Sequence, residues 1–279
     1  RFINLSSFSG LDEFISEVRR LDQNDDELIY RLSQPVLSEK FDIELVIKNA
    51  ISVGIEKILM PAIDSASLEA MLKVEQQFPD HCIAMMGLHP CYVKENYKAE
   101  LKLVEEWIAK RNFIAIGEIG LDYYWDKTFT KEQQLVFETQ MQWALDLQLP
   151  IVIHTRNAMG ETIELVKPFA KKGLHGVFHC FSGSKESAEQ IIGMGFHLGL
   201  GGVLTYKNAG VAEAIKDIPM EYLVLETDAP YLAPVPYRGK TNEPSYMLEV
   251  AKKLAEVKSM PLHEIAAITT SNAKKLFRF

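Results

Sequence analysis

Short apolar segments recur along the chain from about residue 56 onward, and each is followed by an amphipathic segment. The apolar segments are rich in β-branched residues, and their starts lie 21 to 37 residues apart. Near-continuous apolar runs of this length are typical of strands that are buried on both faces of a parallel sheet. We therefore predict seven strands, at 57–63, 82–88, 113–119, 150–154, 175–179, 196–202 and 222–228.

The segments between these strands have the spacing of amphipathic helices. Apolar residues recur three and four positions apart between residues 137 and 145, and again between 247 and 255. This periodicity predicts a helix with one buried face at each place. Thr130 and Gln133 have the spacing of a capping box, which predicts the start of the first of these helices.

The alternation of strands and helices predicts an α/β fold. Seven strand–helix units after residue 55 leave room for one further strand near the N-terminus, so the pattern favours a single-domain (β/α)8 TIM barrel. A doubly wound open sheet is the alternative, but it usually carries a Gly-rich phosphate turn after its first strand, and this sequence has none. Residues 1–37 do not follow the repeat. We therefore divide the chain into an atypical N-terminal segment, 1–37, as a candidate for the first strand, and a barrel, 38–279.

Composition narrows the class of protein. Of 279 residues, 47% are hydrophobic and 24% are charged, which is ordinary for a globular protein. No apolar run approaches the roughly 20 residues that cross a bilayer, and no secretory signal is visible. Three scattered cysteines predict a reducing, cytoplasmic environment. The net charge of −8 argues against broad duplex binding through a basic face. We expect a cytoplasmic protein with no membrane partner, and a monomer.

Polar side chains that could bind a metal close four of the predicted apolar runs: Glu118, His154, His179 and Asp228. In a barrel, the C-terminal ends of the strands meet at one rim. Two imidazoles and two carboxylates there form a mixed nitrogen and oxygen ligand set suited to Zn²⁺, Mn²⁺ or Mg²⁺. Taken singly, each residue has a simpler interpretation as a structural hydrogen-bonding group. The prediction of a metal site therefore depends on all four occurring together.

The motifs around these residues resemble those of the TatD family of metal-dependent deoxyribonucleases. In order, they are 117–124 (Gly-Glu-Ile-Gly-Leu-Asp-Tyr-Tyr), 154–156 (His-Thr-Arg), 179–183 (His-Cys-Phe-Ser-Gly), 201–208 (Gly-Gly-Val-Leu-Thr-Tyr-Lys-Asn) and 226–232 (Glu-Thr-Asp-Ala-Pro-Tyr-Leu). The similarity runs from about residue 37 to residue 279. It implies a TIM-barrel hydrolase that binds two divalent cations and trims DNA, typically as a 3′-to-5′ exonuclease.

The resemblance also implies a role for each of the four residues. Glu118 is similar to the carboxylate that bridges both metals, and His154 and His179 to the remaining ligands of the second metal. Asp228 resembles a first-metal ligand that also takes the proton of the attacking water. We therefore expect Asp228 and Glu118 to be catalytic, and this agrees with the chemistry of phosphodiester hydrolysis, in which a metal activates water and offsets phosphate charge.

Four further residues are candidates for substrate binding. Arg156 follows a proposed histidine ligand by two positions, so on a strand it points toward the same rim. Lys207 and Arg238 follow the seventh and eighth strands of the predicted barrel, where barrels commonly bind phosphate. His89 resembles a family position that lines the substrate cleft, and the aromatic residues 123–125 could stack an unpaired base. A solvated surface cation is the simpler interpretation of the three cations, and a turn-stabilising hydrogen bond that of His89.

The N-terminal region departs from the family pattern. The family's first strand ordinarily ends in His-x-His, which supplies two ligands of the first metal. Counting back from 38–42 (Ser-Glu-Lys-Phe-Asp), which looks like the start of the first helix, those positions hold Ser33 and Pro35. Three explanations remain open: a natural replacement that removes the first metal site, a first strand at 2–5 with Asn4 as a weak oxygen ligand and 8–34 as an insertion, or an incorrect gene model.

These observations predict a divalent-metal-dependent hydrolase of DNA phosphodiester bonds, acting on single strands or ends. We expect Zn²⁺, Mg²⁺ or Mn²⁺, with one ion tightly held next to His154 and His179 and a second held weakly. One alternative is a metal hydrolase of other ester or amide bonds on the same barrel. The other is a member that binds metal or nucleic acid without turnover, and the missing His-x-His favours it.

Overall fold

The computed structural model describes residues 42–279, and every element below lies in that range. No helix within it has both the length and the apolar composition needed to cross a membrane. The strands are β1 (Ile58–Pro61), β2 (Cys82–Met85), β3 (Ile116–Asp122), β4 (Ile151–Arg156), β5 (Gly176–Phe178), β6 (His197–Leu200) and β7 (Leu223–Leu225). The helices are α1 (Ile43–Ser52), α2 (Ser65–Gln77), α3 (Tyr97–Lys110), α4 (Thr130–Leu147), α5 (Met159–Ala170), α6 (Lys185–Gly193), α7 (Val211–Ala214), α8 (Met247–Lys258) and α9 (Leu262–Phe277).

The described strands pair in the order in which they occur along the chain. β1 pairs with β2, and β3 to β7 form a second ladder, with every pairing parallel. A parallel bridge between Met86 and Ile116 connects the two groups. A doubly wound sheet would reverse its strand order at a switch point, and these strands do not. The predicted α/β barrel and its seven strands are thus confirmed, whereas the candidate first strand and the boundary at residue 37 lie outside the described residues.

Side-chain caps stand at the start of three of the described helices, and Ser184 provides the one at α6. Asp42 caps α1 by accepting a hydrogen bond from the backbone N–H of Leu45 at 3.1 Å. At α2, Asp64 and Ser67 form a reciprocal capping box. The capping box predicted at Thr130 is wrong, because no side chain caps α4 and Gln133 turns into the interior instead. The Gln133 side chain binds the backbone of Asp122 at the end of β3, and no local sequence pattern reveals such a distant partner.

The core lies between the β3–β7 ladder and the helices that cover it. The apolar face predicted for α4 is buried, with Phe137, Met141 and Ala144 fully inaccessible to solvent. Phe178 of β5 and Phe196 beside β6 pack edge to face, with ring centroids 5.8 Å apart. Burial of each such large side chain contributes about 1.5–3 kcal/mol to the free energy of folding. The β3–β7 ladder is therefore a stable support for the residues at the C-terminal ends of its strands.

Two buried glutamines of α4 bind backbone groups, one just after β2 and one at the end of β3. Gln140 accepts from the Leu88 N–H at 2.7 Å and donates to the Leu88 carbonyl at 3.1 Å. Gln133 makes the same pair of bonds to the backbone of Asp122, at 2.9 and 3.1 Å. Each amide therefore satisfies the donor and the acceptor that a neighbouring strand would otherwise satisfy. The segments after β2 and at the end of β3 are fixed to one helix in this way.

The side of the barrel between β7 and β1 is packed differently. All four residues of β1 are only partly buried, whereas all seven residues of β3 are buried. A cavity of about 870 Å³ is lined by both β1 and β7 and by the helices α8 and α9. The cavity reaches Glu118, His179 and Asp228, so it connects the less buried side of the barrel with the rim.

Candidate active site

Glu118 lies inside β3 and not at its end, which corrects the position predicted from the apolar pattern. Ile116 pairs with Ile151 and Ile119 pairs with Ile153, so β3 holds one extra residue between these two registers. Such a bulge bends a strand and redirects a side chain, and bulges are common beside active sites. Here the extra residue falls at Gly117 or Glu118, and the Glu118 carboxylate is almost completely buried.

The four predicted metal-binding residues converge. The Glu118 Oε1 atom lies 3.1 Å from His154 Nδ1 and 3.8 Å from His179 Nε2. Asp228 Oδ1 lies 3.2 Å from the same His179 nitrogen. His154 belongs to β4, and His179 and Asp228 follow β5 and β7, so strand order alone gathers them. The structure therefore joins all four in one chain of contacts, in which Glu118 lies next to both histidines and Asp228 lies next to His179.

A glycine permits this approach of β3 to β4. Gly120 has a positive φ of 145°, and a Cβ atom there would lie 2.0 Å from the carbonyl oxygen of His154. Any side chain would force the two strands apart, since real Cβ contacts are never that short. The glycine in the 117–124 motif therefore keeps His154 next to β3 and within reach of Glu118.

The carboxylates and imidazoles of the site stabilise each other's charged forms. Burial acts to raise the pKa of Glu118, but the imidazoles of His179 and His154 hold it well below its usual range. Burial also opposes the charging of His154, yet Asp122 and Glu118 raise the pKa of its imidazole to about 9. Burial acts in the same way on His179, whose pKa the neighbouring carboxylates raise well above its usual range.

Two carboxylates of the site were missed by the sequence analysis. Asp122 Oδ2 lies 2.9 Å from His154 Nε2, and Glu226 Oε2 lies 2.7 Å from His179 Nδ1. Both stand inside the motifs at 117–124 and 226–232. The available signal was the position of Glu226, two residues before Asp228 in the predicted strand 222–228, because alternate residues of a strand point the same way. For Asp122 we find no comparable local signal.

His89 is close to the site but is set up as a hydrogen-bond donor. His89, Glu118 and His154 offer ligand atoms that all lie within 4.8 Å of one another. However, His89 Nδ1 accepts a hydrogen bond from the Cys91 N–H at 3.1 Å, and burial lowers the pKa of the ring. A neutral imidazole whose Nδ1 is an acceptor carries its proton on Nε2. That nitrogen lies 3.6 Å from Glu118 and has no lone pair for a metal.

The predicted substrate-binding cations lie at the exposed rim. The Arg156 guanidinium lies 3.8 Å from the ring centre of Tyr124 and 4.9 Å from that of Trp125. Arg238 stacks in the same way on Tyr206, at 4.5 Å. Lys207 is exposed in the loop that follows β6. Two of the three cations are therefore held against aromatic rings, which keeps their charged ends oriented.

The thiols next to the site are kept protonated. Burial, together with nearby carboxylates, raises the pKa of the Cys180 thiol and that of the Cys91 thiol far above the ordinary value. A thiolate is the form that attacks substrates and binds metals. The chemistry of the site thus falls to the carboxylates and imidazoles.

Residues 36–278 match the sequence profile of the family described as TatD related DNase. The chain belongs to this family. This match confirms the family resemblance predicted from the motifs. It also confirms the prediction that the protein is a metal-dependent hydrolase.

Individual TatD relatives support the same assignment. YabD of Bacillus subtilis (strain 168), described as an uncharacterized metal-dependent hydrolase, is 40% identical over 238 residues, which cover 85% of this chain and 93% of YabD. The crystal structure of YJJV, a TatD homolog of Escherichia coli K12, has a TM-score of 0.80 and 28% identity, over 85% of this chain and 92% of YJJV. A TatD-family hydrolase of Entamoeba histolytica has a TM-score of 0.73 and 26% identity, over 84% of this chain and 89% of that one.

The residues of this TatD site fit a divalent cation. Glu118, Asp122, Glu226 and Asp228 bring four negative charges within ion-pair distance of two imidazoles. Protonation of both imidazoles offsets only two of those charges, so the group remains strongly attractive to a cation. A cation would displace the imidazole protons, because histidine binds metals in its neutral form. The mixed nitrogen and oxygen donors are suited to Zn²⁺ or Mn²⁺.

Proposed function

We propose that the protein hydrolyses DNA phosphodiester bonds and removes nucleotides from the 3′ ends of single strands or frayed duplexes. The observation that carries this proposal is the convergence of Glu118, His154, His179 and Asp228 at one rim, beside a guanidinium stacked on two aromatic rings. The family's description as a DNase supports the bond type. The direction of digestion rests on the resemblance of the motifs.

Glu118, His154 and His179 are the residues that would hold a divalent cation. When bound, such a cation activates water and offsets the charge of the phosphate. Asp228 would accept the proton that the attacking water loses, through its carboxylate. Its side chain is 28% exposed, compared with 10% for Glu118 and 1% for Asp122, so it is the carboxylate most open to substrate.

The rim has the features of a site for unpaired nucleotides. Tyr124 is 47% exposed and carries the Arg156 guanidinium on its face, so a base and a phosphate could be bound side by side. Stacking on aromatic rings needs unpaired bases and is tolerant of sequence. Arg238 and Lys207 would bind phosphates further along the strand, and His89 Nε2 would donate to a phosphate oxygen near Glu118.

We propose one tightly held cation and a second that binds weakly. The first has three protein ligands, Glu118, His154 and His179. The second has Asp228 and a share of Glu118 among the described residues, and metal hydrolases usually supply at least three ligands per catalytic ion. Ser33 and Pro35, at the positions of the expected histidines, lie outside the described residues.

We also propose that the protein acts as a cytoplasmic monomer, with residues 1–37 as an atypical segment before the barrel. The start of the family match at residue 36 supports that boundary. Light scattering of the purified chain tests the monomer.

The decisive assay is degradation of end-labelled single-stranded DNA with Mg²⁺ or Mn²⁺, with and without EDTA. A 5′ label is expected to give a descending ladder, and a 3′ label is expected to be released at once as a short product. An Asp228→Asn variant is the control for contaminating nucleases, since it should bind metal yet fail to cleave.

Other outcomes would point to the other functions of the same barrel. Turnover restricted to ester or amide substrates would replace the nuclease with a hydrolase of those bonds. Retained metal or bound DNA without any turnover would indicate a degenerate member, which is the outcome that Ser33 and Pro35 favour.

A further inference from the structure

Asp122 and Glu226 have no place in the proposed ligand set, yet each binds one histidine of it. We propose that these two carboxylates are positioning residues that determine which ring nitrogen faces the cation: Nδ1 of His154 and Nε2 of His179. This inference rests on the proposed function, because it concerns the same metal site. It adds that the two histidines bind through different nitrogens, and it names the cause.

Asp122 fixes the orientation of His154. Its Oδ1 atom accepts hydrogen bonds from the backbone N–H groups of Tyr124 and Trp125, at 2.9 and 3.1 Å. Its Oδ2 atom lies 2.9 Å from His154 Nε2. An ionised carboxylate only accepts hydrogen bonds, so Nε2 donates to Asp122 and keeps its proton when a cation takes the place of the proton on the other ring nitrogen. The lone pair of the neutral ring is then at Nδ1, which lies 3.1 Å from Glu118 Oε1.

Glu226 does the same for His179 with the opposite ring nitrogens. Its Oε1 atom accepts from the Cys180 N–H at 2.7 Å, and its Oε2 atom lies 2.7 Å from His179 Nδ1. Nδ1 therefore donates to Glu226, and Nε2, which faces both Glu118 and Asp228, is the nitrogen whose proton a cation would displace. Metal-binding histidines commonly donate their other N–H to a carboxylate in this way.

The cation side of each ring is the side that faces Glu118. Glu118 is within ion-pair distance of three imidazoles, whereas Asp122 and Glu226 each contact one and have their second oxygen bound to backbone. A central, shared carboxylate is suited to a metal. An anchored, peripheral carboxylate is suited to holding a ring.

Strand β6 is built to leave room for Glu226. A Cβ atom at Gly199 would lie 2.3 Å from Glu226 Oε2 and 3.3 Å from the Cα atom of His179. Gly199 therefore allows the carboxylate to reach the ring. A Gly199→Ala substitution would displace Glu226 while leaving every charged group of the site in the protein.

The test uses the full-length protein and Zn²⁺ as the probe. Glu226→Gln and Asp122→Asn keep an oxygen for the backbone N–H groups but turn an amide NH₂ toward the ring. The ring must then offer its lone pair to that amide and protonate the nitrogen on the cation side. We expect Zn²⁺ affinity, measured by calorimetry, to fall by about 10- to 100-fold in each variant. The matched controls Glu221→Gln and Asp126→Asn should leave it unchanged.

The Gly199→Ala variant separates the effect of the position of the Glu226 carboxylate from the effect of its charge. It should lower Zn²⁺ affinity to a similar extent, although the carboxylate is still present. Circular dichroism and thermal unfolding of each variant identify any that fail to fold. Unchanged affinity in a folded Gly199→Ala variant would overturn the role of Glu226.

Nitrogen-15 NMR of histidine-labelled, Zn²⁺-loaded protein reads the ring nitrogens directly. We expect a metal-shifted Nδ1 with a protonated Nε2 for His154, and the reverse for His179. Zn²⁺ bound through the other nitrogens would overturn the inference and leave the proposed function standing. A wild-type protein that binds no Zn²⁺ would overturn the inference, whereas the proposed function is overturned only if the DNA assay with Mg²⁺ or Mn²⁺ shows no cleavage.

Discussion

Among residues 42–279, the side of the barrel around β3 and β4 is more completely packed than the side between β7 and β1, where the predicted first strand would lie. Every residue of β3 is buried, and His154 and His179, on β4 and after β5, have one ring nitrogen fixed by an anchored carboxylate. On the other side, β1 is only partly buried and borders a cavity of about 870 Å³. Asp228, which follows β7, is the more exposed ligand candidate.

The proposed metal site thus has two halves that are preorganised to different degrees. One is a histidine half, made of Glu118, His154 and His179, and the other is an Asp228 half. The histidine half is positioned before any ion binds, and its ligands come entirely from described residues. The Asp228 half faces the side of the barrel where the predicted first strand belongs, and Ser33 and Pro35, at the positions of the family's two histidines, lie outside the described residues. Because of this asymmetry, we expect one ion to bind tightly and a second to bind weakly.

The largest effect is expected for Asp228→Asn. If Asp228 accepts the proton of the attacking water, kcat should fall by about 10²- to 10⁴-fold. The dialysed variant should still retain about one equivalent of Zn²⁺, measured by elemental analysis, because the histidine half is intact. Loss of that equivalent in the variant would mean that the two halves are not separate.

Core substitutions on the two sides compare their packing directly. Ile119→Ala, in the fully buried β3, should lower the free energy of unfolding by about 2–5 kcal/mol. Leu59→Ala, in the partly buried β1, should lower it by less than half as much. Urea unfolding with Zn²⁺ present provides the measurement. Equal losses at the two positions would contradict the difference in packing.

The histidine half should also make the stability of the metal-free protein depend on pH. The pKa of His154 is raised to about 9 in the folded protein, against burial, by Asp122 and Glu118. Protonation therefore stabilises the fold fully below pH 6.5, and this contribution is lost as the pH rises through 9. In EDTA, the free energy of unfolding should decrease by roughly 1–3 kcal/mol over that range.

Two comparisons control the pH experiment. Asp122→Asn should show a smaller decrease, because it removes one of the carboxylates that favour the charged ring. With saturating Zn²⁺ the decrease should disappear, since the ion takes the place of the proton. A metal-free protein that becomes more stable between pH 6.5 and 9 would contradict the assignment.

The smallest effect is expected for Arg156→Ala at the rim. The ion pair proposed between Arg156 and a DNA phosphate is exposed to solvent and so contributes at most about 1 kcal/mol, which should raise KM for single-stranded DNA by up to about 5-fold when it is lost. The value of kcat should change little, because Arg156 does not touch the proposed ligands. Lys171→Ala, an exposed cation on another surface, is the control. A large loss of kcat would place Arg156 in the reaction itself.

The apolar pattern predicted all seven described strands because buried parallel strands leave a continuous local signal. It placed Glu118 at a strand end, whereas β3 continues to Asp122, since the bulge that carries Glu118 depends on pairing with β4. Glu226 and Asp122 were missed as partners of the histidines for a related reason. Hydrogen bonds between residues 32 and 47 positions apart exist only after the sheet has formed.

The two glutamines of α4 give the site a mechanical property. Gln133 and Gln140 are seven residues apart, which is about 10.5 Å, or two turns, along the axis of α4. Leu88, next to His89, and Asp122, which contacts His154, are thereby hydrogen-bonded to the same helix. Sliding of α4 would carry both segments together, and neither can open alone without breaking a buried amide pair. In hydrogen exchange, the backbone amides of Leu88 and Asp122 should therefore become accessible in one shared opening event.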